Sequence, residues 1–503
     1  MLPLSSPILN QLPIWATLLP LLATFPLLVF ERRSPALRDG FAIAISIITF
    51  GLVLAMYPAI RSGITLYTAF PELLPPFGIS FKADVLGFSL ALLASFMWML
   101  CTIYSSRYMC DEAACNRYYP FLLLSLGGCM GVFLTGDLFS LFLFFEVMSL
   151  TAYVLIIHNE TPAALQAGFQ YLMLAVTGGL SLFLGIVITL EVTGTVSLVA
   201  GPLFPVINRL SALAFIAYLV GFGIKMGIVP LHVWLPNAHP VAPSPASALL
   251  SGIMIKTGAY GLIRVIYQVF GPQMVAQAGW DQIMLILAAV TILVGSALAI
   301  MQDDLKRRLA YSSVGQMGYI LLGMALLNIN GLTGDVYYIF AHALMKSTLF
   351  LAAGAILFKT GKKKISELRG IGYVMPITMT CFVIAAFAMI GIPPLNGFVG
   401  KVFLTVGVLD AGQFAYAVLL LIGSLMAGVY YLPIIITAFF ATSEEAQQQL
   451  TLAPPNSRRG WEIGPSMLLP MVVLAGIILL SGIVPDNLAL ELSRQAANLL
   501  LGS

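Results

Sequence analysis

The sequence predicts an all-α polytopic membrane protein of about fourteen transmembrane helices, containing two inverted five-helix repeats with discontinuous seventh and twelfth helices. Three observations predict it. The 503 residues are 60% hydrophobic and only 9% charged, where soluble domains run near 25% charged. That excludes a water-soluble enzyme, a nucleic-acid binder and a disordered chain. Long apolar runs are separated by short turns, as spanning helices of about 20 residues require and alternating barrel strands of about 10 do not. Finally, a Gly-Ile-x-Pro-Leu break occurs inside two different spans, Gly227 to Leu231 and Gly391 to Leu395.

The hydropathy places helices over 10–30, 40–60, 84–104, 118–134, 138–157, 168–191, 210–230 and 243–266. It continues over 278–300, 308–326, 334–357, 373–408, 414–440 and 466–484. No Lys or Arg precedes Glu31, so the first run lacks the basic flank of a signal peptide and is expected to stay as a span. Basic residues sort by side. Turns after odd-numbered helices carry fifteen: Arg32, Arg33, Arg38, Arg107, Arg117, Lys306, Arg307, Arg308, Lys359, Lys362, Lys363, Lys364, Arg369, Arg458 and Arg459. The opposite turns carry five, Arg61, Lys82, Arg209, Arg264 and Arg494. The positive-inside rule then puts both termini outside the cytoplasm of a cell inner (plasma) membrane.

The two breaks lie 164 residues apart, five helices by this count. Proline removes an amide donor and clashes with the preceding turn, so Pro230 and the Pro393–Pro394 pair should break their spans within the bilayer. Lys225 precedes its break and Lys401 follows its own, as a repeat inverted in the membrane would arrange them. Residues 1–117 are then three framing helices without internal charge, and 118–266 and 267–440 are the repeats. Residues 441–503 hold a long polar loop, the last span and an amphipathic tail over 488–501.

Lys225, Lys256, Lys346 and Lys401 remain inside spans, with Glu146 and His342. Each charge at mid-bilayer costs roughly 2.5–3.5 kcal/mol on insertion scales, too much for six to be incidental. Glu146 lies nine residues beyond Asp137 and follows two phenylalanines. It must be protonated or paired, and Lys225 is its expected partner. Lys225 is flanked by Gly221, Gly223 and Gly227, which leave room for water around an amine that can exchange protons when buried. Lys256 repeats the glycine-flanked pattern. His342 and Lys346 are four residues apart and share a helical face. In helix order these groups form a candidate proton axis running across the protein at mid-depth. The plainer alternatives are static ion pairs zipping the helices together, or lysines snorkelling to the surface.

His232, just past Pro230, is either a relay to the cytoplasmic side or a helix cap. His158 and His239 read as solvated loop residues. His232 with His342 is the one pair to consider for a haem, and the residues give it little support. Cys101, Cys110, Cys115, Cys129 and Cys381 have no CxxC spacing and imply neither a disulfide framework nor an iron–sulfur site. No phosphate-binding glycine motif follows a strand, so no nucleotide, metal or other cofactor is expected.

Taken together, TGDLFSLFLFFEVMSLTAY, IKMGIVPLHVWLPNAHPVAPSPASALLSGIMIKTGAYGLIR, DDLKRRLAYSSVGQMGYI, AHALMKSTLFLAAG and GIPPLNGFVGKVFL resemble the antiporter-like family. That family is shared by complex I, Mrp cation/proton antiporters and membrane-bound hydrogenases. The resemblance covers about 118–440. It implies fourteen helices with two inverted half-channels inside a larger complex. By motif match it assigns Glu146 to the fifth helix, Lys225 to the broken seventh, Lys256 to the eighth, His342 and Lys346 to the eleventh and Lys401 to the twelfth. Lysine at that last position resembles the D-type subunits of Mrp antiporters and the hydrogenase homologues, and ETPAALQAGFQYL leans to the latter. The chain ends soon after the fourteenth helix, so the long lateral helix of complex I's most distal antiporter-like member is not expected.

The expectation is a proton-translocating subunit of a hetero-oligomeric membrane complex, with exchange for Na+ left open and no redox chemistry of its own. A quinone-binding redox subunit and a passive membrane scaffold are the alternatives.

Overall fold

The computed structural model describes residues 7–30, 34–110, 115–199, 201–440, 462–484 and 486–502. The polar loop over 441–461 and the basic residues Arg32, Arg33, Arg458 and Arg459 lie outside these.

Hydropathy dictates most of the elements. Apolar runs give α1 (Pro7–Leu22), α2 (Thr24–Phe30), α3 (Pro35–Leu54), the short α4 (Tyr57–Arg61) and α5 (Val85–Tyr108). They continue as α6 (Cys115–Phe133), α7 (Leu138–Ile156), α8 (Pro162–Thr193) and α9 (Arg209–Met226). After a break come α10 (Leu235–Val241), α11 (Ser244–Leu249) and α12 (Ile255–Arg264), the last two forming one crossing with π-helical turns at Leu250–Met254 and Val265–Phe270. Then follow α13 (Pro272–Gln277), α14 (Trp280–Ile300), α15 (Leu305–Ala325) and α16 (Ile329–Thr360). A short α17 (Ile371–Val374) leads to α18 (Pro376–Ile390), α19 (Asn396–Asp410) and α20 (Phe414–Phe439). The helices Pro465–Ile483 and Leu488–Leu501 end the chain.

Eleven described helices are long and apolar enough to cross a membrane. Five of them start at a side-chain cap. Asp84 accepts from Gly87 N ahead of α5, Asp137 from Ser140 N ahead of α7, and Asn328 from Gly331 N ahead of α16. Each such cap satisfies an amide that the helix itself cannot. Gly194, Gly227, Gly361 and Gly391 stop their helices in the left-handed region, where a side chain would be strained.

Burial sorts the helices into two classes. The most apolar stretches of Ser244–Phe270 and α16 are buried at every residue, whereas those of α8, α3 and the helix Pro465–Ile483 keep most residues on the outer surface. The two helices richest in internal polar groups therefore sit at the centre, and the apolar ones form a rim suited to lipid.

Three expectations need correction. The chain is not wholly helical, since β1 (Leu66–Phe70) and β2 (Ile79–Ala83) form an antiparallel hairpin with Tyr67 opposite Lys82. The proline-rich segment between them masked the strand pattern. Arg264 and Lys82, read as turn residues, are both buried. Arg264 NH1 and NH2 donate to Asp84 Oδ2 and Oδ1 at 2.7 and 2.6 Å, and Lys82 Nζ lies 3.1 Å from Asp84 Oδ2. Arg264 thus lies inside a crossing. His158 and His239 are buried, not solvated, at 2% and 0% exposure. His158 is folded under Arg117, whose NH2 donates to its carbonyl at 2.7 Å, and His239 stacks on Phe350 with ring centroids 4.7 Å apart.

Candidate functional site

The first break begins at Gly227 (φ 74°), after Lys225, the penultimate residue of α9. Lys225 Nζ donates to Ser149 Oγ at 3.1 Å and Tyr171 OH at 3.0 Å, and lies over the Phe145 and Tyr171 rings at 5.6 and 5.4 Å. Trp234, beyond the break, donates from its indole to Ile224 O at 2.7 Å, satisfying a carbonyl at the end of α9. A cavity of about 10 Å³ between Lys225, Phe145, Ser149, Tyr171 and Trp234 has room for about one water.

Glu146 lies on the same face of α7 as Ser149, three residues on. Its Oε1 is buried without a hydrogen-bond partner, and among the described residues no salt bridge joins Glu146 to Lys225. Gly179 on α8 makes space for the carboxylate, because a Cβ there would collide with Oε1. The acid and the amine thus sit at one helix junction, with hydroxyls holding the amine.

Lys256 follows the π-helical turn at Leu250–Met254, and its Nζ donates to Ser251 O at 2.5 Å. A π turn shifts the backbone bonds from i−4 to i−5, leaving carbonyls free for side chains. Ser251 Oγ meets Ser313 Oγ of α15 at 2.7 Å, and Ser313 Oγ donates to Leu309 O at 3.1 Å. Lys346 Nζ of α16 donates to that same Leu309 carbonyl at 2.9 Å, to Ser312 Oγ, and to Tyr431 OH at 3.3 Å. Ser251, through its carbonyl on one side and its hydroxyl on the other, and Ser313 and the shared Leu309 carbonyl therefore link the seats of Lys256 and Lys346. His342, one turn before Lys346, has neither ring nitrogen partnered and stacks parallel to Tyr338 at 6.3 Å.

At the second break, α18 ends at Ile390 and Gly391 turns at φ 94°. Lys401 Nζ on α19 reaches back to donate to Met389 O and Ile390 O, both at 2.9 Å, and to Ser424 Oγ at 3.0 Å. A cation at a helix C-terminus is favoured by the helix dipole. At that φ a side chain on residue 391 would be strained, and its Cβ would also press on Lys401 Cδ at 3.0 Å. Pro230, Pro393 and Pro394 sit within the two breaks, and Val229–Pro230 and Pro393–Pro394 are cis.

The accessory residues are placed differently. His232 is half-buried within the first break, its Nδ1 without a partner. Asp137 anchors the hairpin, accepting from Ser80 N at 2.9 Å and from the Ser80 and Ser140 hydroxyls. Sequence reasoning overlooked Ser149, Tyr171, Ser251, Ser313 and Ser424. The available signal was hydroxyls inside apolar spans, three to five residues from a charge at Ser149 and Ser251. It also overlooked Asp335, fully buried on α16.

Residues 135–427 match the family described as NADH:quinone oxidoreductase/Mrp antiporter, TM, more than half of the chain. The chain belongs to this family. It is 34% identical over 487 residues to the N-type subunit of the NADH-quinone oxidoreductase of Desulforudis audaxviator, covering 93% of this chain and 95% of that protein. It is 29% identical over 502 residues to the D-type subunit of the Na(+)/H(+) antiporter of Alkalihalophilus pseudofirmus, covering 98% of each. A chain in the structure of the Mrp complex from Dietzia sp. superposes with a TM-score of 0.86 at 26% identity, covering 99% of this chain and 98% of that one. The protein is a predominantly helical, multi-pass, antiporter-like membrane subunit of the Mrp/complex I type.

Proposed function

We propose that the chain is the ion-translocating subunit of a hetero-oligomeric respiratory or antiporter complex in the plasma membrane, moving protons along Glu146, Lys225, Lys256, His342, Lys346 and Lys401. In this reading Glu146 and Lys225 alternately pair and part. When they part, Lys225 falls back on Ser149 and Tyr171, the arrangement seen here. When they pair, the ammonium is held in its charged form, because an opposite charge favours it. Repeated pairing and parting pushes charge toward Lys256 and then, through the serine series, toward Lys346 and Lys401.

One observation carries the proposal: four buried lysines are held by hydroxyls and carbonyls, and none by a carboxylate among the described residues. An ammonium so held can lose its proton without stranding a buried anion. A static zipper would pair each lysine with an acid.

The proposal includes fourteen crossings in two inverted repeats. Adding Cys115–Phe133, Leu305–Ala325 and the broken pair Pro376–Ile390 and Asn396–Asp410 to the eleven apolar spans gives that number. The 32-residue helices α8 and α16 would be counterparts, as would the two broken ones. Fourteen crossings put both termini on one side, outside the cytoplasm by the bias of basic residues.

The test is transport by the assembled complex in vesicles, with Lys225→Ala and Glu146→Ala. Each should abolish proton movement while the complex still assembles. Wild-type pumping by either variant refutes the mechanism. Sodium flux recorded in the same vesicles decides between proton transport alone and exchange.

A further inference from the structure

Asp335 takes no part in the axis described above, yet it is the most isolated acid in the described structure. It is 0% exposed, both carboxylate oxygens lack any hydrogen-bond partner, and no cation pairs with it. It lies on α16 between the start of that helix and His342. Seven residues, about 10 Å of helix rise, separate the two, and both lie on one face. Tyr338 stands between them, stacked on His342. On its other flank Asp335 packs so closely on α15 that a Cβ at Gly323 would meet its own at 2.7 Å. The next residue, Met324, accepts through its carbonyl from Tyr267 OH at 3.0 Å.

Tyr267 and Gln268 sit on the second π-helical turn and line an open cavity of about 470 Å³, whose wall also includes Lys82 and Asp84. An isolated acid deep in apolar packing costs several kcal/mol if ionised without compensation. A group kept there without a partner, between an imidazole of the axis and a polar cavity, has the placement of a proton carrier.

We propose that Asp335, with Tyr267, forms a side outlet that carries protons between His342 and the cavity bounded by Lys82 and Asp84. The inference rests on the proton-translocation reading and extends it. In the outward step the protonated Asp335 carboxyl gives its proton, through an intervening water, to the Tyr267 oxygen as the Tyr267 hydroxyl turns from the Met324 carbonyl and gives its own to cavity water. Asp335 then regains a proton from the imidazolium of His342 through an intervening water, since the Tyr338 hydroxyl is held by Gln316 Oε1. No electron moves, and each group ends as it began.

The test uses the assembled complex in vesicles, with Asp335→Asn, Asp335→Glu and Tyr267→Phe alongside Lys225→Ala. Removing a proton-transfer group costs about 10²–10⁴-fold in the step it serves. Asp335→Asn should therefore slow transport at least about tenfold, with Asp335→Glu recovering part of the rate. Infrared spectra of the wild type should show a protonated-carboxyl band, shifted in D2O and missing from Asp335→Asn, which a merely structural role would not require. If Asp335→Asn fails to assemble, Tyr267→Phe carries the same expectation of slowed transport. Wild-type rates in assembled Asp335→Asn or Tyr267→Phe, or no carboxyl band assignable to Asp335, overturn the outlet. If Lys225→Ala still abolishes transport in that case, the axis stands and only the outlet falls. If Lys225→Ala also transports normally, the underlying reading has failed.

Discussion

Replacing Asp84 should harm the fold more than replacing either of its cations, and the structure sets the order. Asp84 carries one negative charge against Arg264 and Lys82, and its side chain and that of Arg264 are each 1% exposed, that of Lys82 7%. It also caps α5 through Gly87 N at 2.9 Å. Asp84→Asn keeps an oxygen for the cap but leaves two buried cations facing one another. Breaking a buried pair by removing one partner costs about 3–5 kcal/mol. Asp84→Ala adds the lost cap, about 1 kcal/mol more. Lys82→Met has a different effect, because it removes the surplus charge and leaves Arg264 and Asp84 as a neutral bidentate pair. Its cost is the hydrogen bond to Leu198 O at 2.8 Å, about 1 kcal/mol net, offset in part by relief of repulsion. The margin of a folded protein is only about 5–15 kcal/mol. Both Asp84 variants should thus show a sharply lowered thermal midpoint or poor recovery by size exclusion in detergent, and Lys82→Met a small change. If Lys82→Met lowers the midpoint as far as Asp84→Asn, the charge argument is wrong.

Gly179→Ala should reduce transport while sparing assembly, because its methyl group would displace the Glu146 carboxylate. Gly40→Ala on α3, where nothing lies within 4 Å of the added Cβ, should transport normally and serves as the control. Acid should weaken the fold in two windows. Burial, with Arg117 beside it, pushes the His158 imidazole down to about 4. The unfolded chain then binds the extra proton, so stability present above about pH 6.5 is lost as the pH falls toward 4, and His158→Phe should flatten that part of the thermal-midpoint curve. Burial opposes the charge on Asp84, but Arg264, Lys82 and the Gly87 amide outweigh it and hold the carboxyl well below the usual carboxylate range. Its contribution is present above about pH 4 and lost below it. The midpoint gap between wild type and Asp84→Asn should therefore close in strong acid, and a gap that persists there refutes the assignment.

The spans and the candidate site were legible to different degrees, for physical reasons. A lysine inside twenty apolar residues stands out by composition alone, so Lys225, Lys256, Lys346 and Lys401 could be found without coordinates. The breaks could be found too, because proline and glycine act locally on the backbone. Partners were not legible. Asp84 and Arg264 are 180 residues apart, and nothing in either local pattern says that a turn acid reaches a helix arginine. Asp335 was missed for a related reason: in GLTGDVYYIF it reads as a helix-start acid, and only the packing of α15 and α19 around α16 encloses it. Serines supplied the remaining surprise. A hydroxyl in a span is usually satisfied by its own helix, so Ser251 and Ser313 carried no sign that they would meet.

The seat of Lys401 has a consequence for how such a subunit is tuned. Two main-chain oxygens at the end of α18 hold the ammonium in place of an acid. Peptide oxygens keep the same charge at every physiological pH, and substitution of a side chain does not remove them. The occupancy of this seat therefore follows the geometry of the interrupted helix: a neighbouring protein that pressed on the break and turned those oxygens away would release the amine without any acid changing its protonation.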